Sequence, residues 1–186
     1  RIQTYSLINC AVNPQTGKER SAAYNAVVKK KKVLIVGGGV AGCEAARVLA
    51  ERGHEPVVYE AGSRLGGNLI PGGAPDFKED DIALADWYAE ELNRLGVEIH
   101  LNTLATEETV KDPQYDTVII ATGSRPKKFS LGDDEKVYAA EDVLTGKKDP
   151  GSSVVVVGAG LVGCELALDL ARKGKEVQII EALDKI

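Results

Sequence analysis

Runs of aliphatic residues alternate along this chain with stretches whose apolar positions recur at helical spacing. The run KVLIV, ending at Val36, is continuous, which is typical of a parallel strand buried on both faces. The next stretch, Val40–Arg52, has the apolar spacing of a helix and stops at Gly53, and PVVYE gives another strand. The same order returns from Ser153 to Glu181. Alternating strands and helices predict an α/β protein with parallel, doubly wound sheets.

The middle of the chain predicts fewer regular elements. A helix is predicted from about Glu79 to Leu95, with Trp87 facing the core. The strand VEIHL and a buried strand in YDTVIIATG follow it. The stretch Gly62–Pro75 is too rich in glycine and proline for a regular element. We therefore predict a connector over residues 1–32, a first Rossmann-like domain over 33–150 and the start of a second, incomplete one over 151–186.

The two strand–turn–helix–strand stretches are copies of each other. An offset of 121 residues aligns Val33–Leu65 with Val154–Ile186 without a gap, and 14 of the 33 positions are identical. Each copy contains GxGxxG between the first strand and the helix. Each also places an acid, Glu60 or Glu181, 18 residues after the third glycine. So many shared features are not expected of two glycine turns that serve packing alone.

This repeated pattern is typical of dinucleotide-binding sites. The first glycine permits a sharp turn, the second lets a pyrophosphate approach the backbone, and the third allows close packing of helix on strand. The phosphates then lie at the helix N-terminus, where unpaired N–H groups and the helix dipole favour an anion. The acid at the end of the second strand accepts a hydrogen bond from a ribose 2′-OH.

Composition excludes several other functions. The formal net charge of −5 gives no electrostatic reason to expect nucleic acid or a membrane surface as partner. The apolar run Val154–Ala171 contains Glu165, Asp169 and three glycines, so we do not expect it to cross a membrane. No signal peptide is visible, and three scattered cysteines are no disulfide framework, so a cytoplasmic location is expected. Because methionine is absent, we expect the chain to be a fragment of a longer protein.

From Lys32 to Ile186 the two motifs, with LGGNL and YDTVIIATG between them, resemble the flavoproteins that have two dinucleotide-binding domains. The resemblance implies FAD at the first site and NAD(H) at the second. It implies pyrophosphate and ribose contacts in the first copy, loop contacts after it, an adenine contact at Ala105 and a strand end near the flavin. These FAD positions are Gly37, Gly39, Val40, Ala41, Gly42, Glu60, Arg64, Gly67, Asn68, Ala105, Ala121, Thr122 and Gly123. The implied NAD(H) positions are Gly158, Gly160, Leu161, Val162, Gly163 and Glu181.

The three cysteines give different predictions. Cys43 and Cys164 each follow the third glycine of a copy, where a small residue facing the sheet is expected, and no two cysteines are spaced as a redox dithiol. Cys10, in the sequence CAVNP, resembles the last 4Fe–4S ligand of multidomain relatives of old yellow enzyme, such as enoate reductases and 2,4-dienoyl-CoA reductases. Since such a cluster needs four ligands, the other three are expected upstream of this chain.

The resemblance implies an NADH:flavin oxidoreductase in which electrons pass from NADH to FAD and through the cluster to FMN. The FMN belongs to an N-terminal (β/α)8 barrel, outside this chain, that reduces an activated C=C bond of a small-molecule substrate. No catalytic residue is assigned within the chain. Two alternatives stay open: an electron-transfer protein of the glutamate synthase small-subunit type, and a non-catalytic module that binds ADP at the first site.

Overall fold

The structure is a computed structural model that describes residues 10, 13, 15–20, 23–126 and 135–184. These residues form two compact units. The first contains the described residues up to Leu65 together with Asp86–Thr122, and the second contains Gly66–Ala85 together with the described residues from Gly123 onward. None of the described residues before Lys32 lies in a helix or strand, in agreement with the predicted irregular connector.

The first unit is built on a parallel sheet of four strands. Its order is β3–β2–β1–β4, so the first strand lies between two neighbours. Three consecutive residues of this strand, Val33, Leu34 and Ile35, are buried, because the sheet covers both of its edges and helices or loops cover its faces. The elements are β1 (Lys32–Val36), α1 (Val40–Glu51), β2 (Glu55–Tyr59), β3 (Glu98–His100), α4 (Glu107–Lys111) and β4 (Thr117–Ile120).

The second unit contains two parallel strands that pair with each other. One long helix lies between them in the sequence. A small apolar core forms between strand and helix from Val156, Leu166, Ala167 and Leu170. Helix α3 (Glu79–Arg94) begins in this unit and continues into the first. The other elements are α2 (Leu69–Gly72), α5 (Ala140–Leu144), β5 (Ser153–Val157), α6 (Leu161–Arg172) and β6 (Glu176–Ile180).

Three local predictions were wrong. Trp87 is 43% exposed, because the buried face of α3 is formed by Ala85, Tyr88 and Leu92, at helical spacing, and Trp87 lies off this face. The loop predicted over Gly62–Pro75 contains the short helix α2, which tolerates Pro71 because the first turn of a helix needs no N–H donor there. The strand in YDTVIIATG is at the edge of the described sheet, so it is only partly buried.

The α/β fold with parallel sheets is confirmed, including two separate sheets for the two copies of the repeat. No helix among the described residues is long and apolar enough to cross a membrane.

Candidate dinucleotide-binding sites

The first glycine of each copy takes a backbone conformation that other residues rarely adopt. The φ angle is +106° at Gly37 and +103° at Gly158, so a side chain at either position would strain the backbone. Both residues directly follow a strand, and both N–H groups donate to the carbonyl at the end of the second strand, that of Tyr59 or Ile180. The predicted sharp turn is present in both copies.

The third glycine brings the helix close to this turn. A Cβ atom at Gly42 would lie 1.9 Å from the carbonyl oxygen of Gly37, and one at Gly163 would lie 2.0 Å from that of Gly158. Both distances are far below van der Waals contact, so only glycine fits. The spacing of the motif is therefore explained by packing within each copy.

The second glycine is the N-cap of each helix, Gly39 of α1 and Gly160 of α6. The N–H groups that follow, such as those of Leu161 and Val162, are in the first helical turn and have no partner within the helix. A Cβ atom at Gly160 would meet no atom within 4 Å, so the space above this helix end is open. Open space, free N–H groups and the positive end of a helix dipole fit the pyrophosphate of a dinucleotide. The same groups in α1 belong to Val40 and Ala41.

The acid of each copy is joined to the glycine turn. One carboxylate oxygen of Glu60 accepts from the Gly38 N–H at 2.7 Å, and the other accepts from the Gly62 N–H at 2.6 Å. Each acid therefore lies between the phosphate-binding turn and the end of the second strand, where the ribose of a bound dinucleotide is expected.

The acid of the second copy makes the corresponding bonds and one more. Glu181 accepts from the Ala159 N–H at 2.7 Å with one oxygen, and from the N–H groups of Ala182 and Leu183, at 2.7 and 2.9 Å, with the other. These hydrogen bonds, that from Ala159 above all, hold the pKa of the Glu181 carboxyl below its ordinary value. An ionised carboxylate accepts hydrogen bonds from hydroxyl groups and repels phosphate.

Some of the other predicted FAD positions lie against the first turn. The carbonyl oxygen of Ala121, at the end of β4, would be 2.4 Å from a Cβ atom at Gly37, and Thr122 contacts the same point. The loop that leads to Ala105 is hydrogen-bonded to the turn after β2: the Thr103 N–H donates to the Glu60 carbonyl at 2.9 Å. The first unit thus brings Ala121 and Thr122, together with Thr103 two residues before Ala105, to the end of the sheet that carries the glycine turn.

The remaining FAD positions are distributed over both units. Arg64 belongs to the first unit, where its guanidinium group lies 2.6 Å from the carboxylate of Asp86. Gly67, Asn68 and Gly123 belong to the second unit, and Asn68 is the N-cap of α2. The role of each of these residues in FAD binding stays a prediction.

Sequence reasoning missed Leu65, which closes over the first glycine turn. A Cβ atom at Gly38 would lie 2.4 Å from Cδ2 of the buried Leu65 side chain, so a larger residue here would require that side chain to move. The second copy has Ala159 at the equivalent position. The difference between the copies does not by itself predict the contact with Leu65.

The cysteines of the two copies have structural roles. Cys43 is buried and Cys164 half-buried, and each thiol donates to the carbonyl of the residue after the first glycine, Gly38 or Ala159, at 3.2 Å. Cys10 is exposed. The described residues contain no group of three or more potential metal ligands, so Cys10 as a cluster ligand stays a prediction that depends on residues outside this chain.

Two parallel β–α–β units, each with a glycine turn, a glycine N-cap and an acid bonded to the turn, are typical of a protein that binds two dinucleotides. The family of pyridine nucleotide-disulphide oxidoreductases matches residues 31–186, and the chain belongs to this family. Membership implies FAD and NAD(H) as cofactors and confirms the predicted oxidoreductase class.

Individual relatives confirm the more specific resemblance to the dinucleotide-binding part of old yellow enzyme-like reductases. The cinnamate reductase of Clostridium sporogenes is 50% identical over 186 residues, which is 100% of this chain and 28% of that protein. The NADH oxidase of Thermoanaerobacter brockii is 43% identical, over 96% of this chain and 29% of that protein. A solved structure of 2-naphthoyl-CoA reductase in complex with 2-naphthoyl-CoA has a TM-score of 0.86 and 34% identity, covering 94% of this chain and 27% of that one. The chain thus spans less than a third of the length of these relatives.

Proposed function

We propose that this chain is the FAD- and NAD(H)-binding part of a larger enzyme that uses NADH to reduce an activated C=C bond. The division proposed is a connector over residues 1–32, an FAD domain over 33–150 and the beginning of an NAD(H) domain from 151 onward. The relatives named cinnamate reductase and 2-naphthoyl-CoA reductase support a substrate of the enoate or enoyl-CoA type.

The observation that carries this proposal is the arrangement at the two glycine turns. In each copy a carboxylate, Glu60 or Glu181, accepts a hydrogen bond from the N–H between the first two glycines. The acid that we expect to contact the ribose is therefore joined by a hydrogen bond to the turn that we expect to contact the phosphates. Two such sites in one chain favour electron transfer, since a nicotinamide and a flavin exchange a hydride when stacked.

The rest of the proposed enzyme lies outside the chain. We propose that Cys10 is the last of four ligands of a 4Fe–4S cluster and that a (β/α)8 barrel upstream holds FMN and the substrate. Electrons from FAD would then pass through the cluster to this barrel. The exposed position of Cys10, ahead of the first sheet, is compatible with such a junction.

The proposal is tested by closing each turn separately in the complete enzyme. Gly39→Val should abolish FAD binding, because the side chain occupies the place where the pyrophosphate approaches. Gly160→Val should abolish NADH binding and leave FAD bound. Flavin content is measured by absorbance and NADH affinity by calorimetry.

A third variant controls for the loss of a glycine as such. Gly53→Asn lies at the end of α1, where a Cβ atom would meet nothing within 4 Å, and should bind both cofactors normally. Normal binding of both cofactors by Gly39→Val and Gly160→Val would refute the proposal. A parent enzyme that binds ADP but no flavin would favour the non-catalytic alternative instead.

A further inference from the structure

Helix α1 of the first copy pairs its own charges. The Arg47 guanidinium group lies 2.8 Å from a carboxylate oxygen of Glu44, three residues earlier, and 2.9 Å from one of Glu51, four residues later. Its side chain also extends over the ring of Tyr24, at 5.6 Å. The three charged residues of α1 thus form one cluster on the helix surface.

Helix α6 of the second copy cannot form this cluster. The offset of 121 residues places Glu165, Leu168 and Arg172 at the positions of Glu44, Arg47 and Glu51. The central cation has become an aliphatic residue that is 51% exposed, and the third residue has changed sign. Glu165 therefore has no arginine three residues later, as Glu44 has in Arg47. Arg172, at the position of Glu51, likewise has no charged residue four residues before it.

Glu165 and Arg172 are instead paired with one short segment, Asp76–Lys78, just before α3, while Asp169, the other charged residue of α6, pairs with Lys173. The Lys78 ammonium group lies 3.2 and 3.0 Å from the two carboxylate oxygens of Glu165, 87 residues away in sequence. Arg172 lies 3.1 Å from the Asp76 carboxylate and 5.4 Å from the centre of the Phe77 ring. We call these two ion pairs, Lys78–Glu165 and Asp76–Arg172, the clasp.

The geometry of the clasp suits it to fix a helix. Its two attachment points on α6 are seven residues apart, which is about 10 Å along the axis. Two points at this separation restrict rotation of the helix more than one pair would, with Lys78–Glu165 the stronger point, since the Arg172 and Asp76 side chains are 51% and 69% exposed. The Lys78 and Glu165 side chains are each only 26% exposed, so solvent screens their attraction less than that of a surface pair. Asp81 is the other acid near Lys78, at 3.7 Å.

We propose that the clasp positions the N-terminal turn of α6 for NAD(H). This rests on the proposed function, which assigns NAD(H) to the second site. Glu165 follows Leu161 by four residues, one helical turn, so Lys78 holds the helix close to the N–H groups that would contact the pyrophosphate. Lys78 belongs to the same stretch of the second unit, Gly66–Ala85, as Gly67 and Asn68, the predicted FAD loop contacts. The clasp therefore links a predicted FAD contact and the NAD(H)-binding helix within one compact unit. Lys78 and Glu165 are positioning residues and not catalytic ones.

The test uses two variants that each remove one charge and a double variant that exchanges both charges, in the complete enzyme with FAD bound. Glu165→Gln and Lys78→Met should each weaken NADH binding roughly two- to tenfold. They should also speed hydrogen exchange at the amides of the first two turns of α6. The double variant Lys78→Glu/Glu165→Lys should recover most of the NADH affinity, because the pair is restored with its signs exchanged. Affinity is measured by calorimetry at a temperature where each variant is fully folded.

The first copy offers a matched control. Glu44→Gln breaks the equivalent pair within α1 and should leave NADH affinity unchanged. Unchanged NADH affinity and exchange in Glu165→Gln would overturn the positioning proposal, as would a folded double variant without recovered affinity. If the single variants do not fold, the NADH affinity of the folded double variant decides. Affinity close to that of the parent supports the proposal, and clearly weaker affinity overturns it. A parent enzyme that binds no NADH would refute the proposed function itself, and the positioning proposal with it.

Discussion

The two copies of the repeat have the same glycine turn in different surroundings. The first glycine has a φ angle of +106° in one copy and +103° in the other. A Cβ atom at Gly37 would nevertheless collide with the carbonyl of Ala121 at 2.4 Å, while one at Gly158 would meet nothing within 4 Å. The turn itself is thus determined by local sequence, and its surroundings depend on whether a strand passes beside it.

Burial differs between the copies for the same reason. The strand β1 lies between β2 and β4, and its central residues are buried. In the part of the chain that the structure describes, β5 pairs only with β6, and Val155 and Val157 are 53% and 62% exposed. Both strands are continuous aliphatic runs, and they differ in how many partner strands the described residues provide for them.

The largest expected effect sharpens the comparison of the first glycines. Gly37→Ala should destabilise the fold by about 2–5 kcal/mol. The clash of the new methyl group with the backbone contributes about 1–3 kcal/mol of this, and the strained φ angle contributes about 1–2 kcal/mol. In this 186-residue chain, whose described residues place nothing beside Gly158, Gly158→Ala should lose only the strain, about 1–2 kcal/mol. Urea unfolding of the two variants measures both values. Equal losses would show that the strand beside Gly37 does not restrict it.

The second prediction concerns the choice between NADH and NADPH. The Glu181 carboxylate should repel a 2′-phosphate by roughly 1–4 kcal/mol at about 4 Å, depending on the effective dielectric constant. The kcat/KM for NADH should therefore exceed that for NADPH by several-fold to about a thousandfold, and Glu181→Ala should reduce this ratio.

Glu60→Ala is the matched control, because it removes the acid of the other copy. This variant should weaken FAD binding without changing the ratio of the two kcat/KM values. A parent enzyme that prefers NADPH would contradict the assignment of Glu181 to the ribose.

A smaller effect is expected at the second position of the motif. Gly38→Ala should cost about 1–3 kcal/mol, since its methyl group would overlap the end of the Leu65 side chain. The same substitution in a Leu65→Ala background should cost less, because the obstructing group is gone. Chemical denaturation of the four proteins gives the coupling energy, and additive losses would mean that Leu65 is not the obstacle.

The smallest effect is a pH dependence at Glu181. Its pKa is lowered from the ordinary value of 4.5, mainly by the hydrogen bond from the Ala159 N–H, so the ionised form stabilises the folded state. This contribution is complete above pH 4.5 and is lost as the pH falls through the lowered pKa. The stability difference between the parent and Glu181→Gln should therefore be constant from pH 7 to 5 and shrink at lower pH. A difference that shrinks already above pH 5 would contradict the lowered pKa.

The sequence was sufficient for features that depend on spacing within one copy. Gly42 and Gly163 follow their turns by five residues, and the close approach of helix and turn is a consequence of that spacing. It was not sufficient for features that need distant partners. Neither the contact of Leu65 with Gly38 nor the pairing of Lys78 with Glu165 is visible in a local pattern. Trp87 was wrongly predicted to face the core, because the residues that pack against α3 determine which face of the helix is buried.

The hydrogen bonds of the two acids also bear on how long each site can retain its nucleotide. A carboxylate has about four acceptor positions. Within the described residues Glu60 uses two of them and Glu181 uses three. A ribose offers two hydroxyl groups, so Glu60 can receive both, whereas Glu181 has room for one. Under the proposed function, the acid at the FAD site therefore has one more acceptor position for its nucleotide than the acid at the NAD(H) site, and we expect FAD to be retained longer.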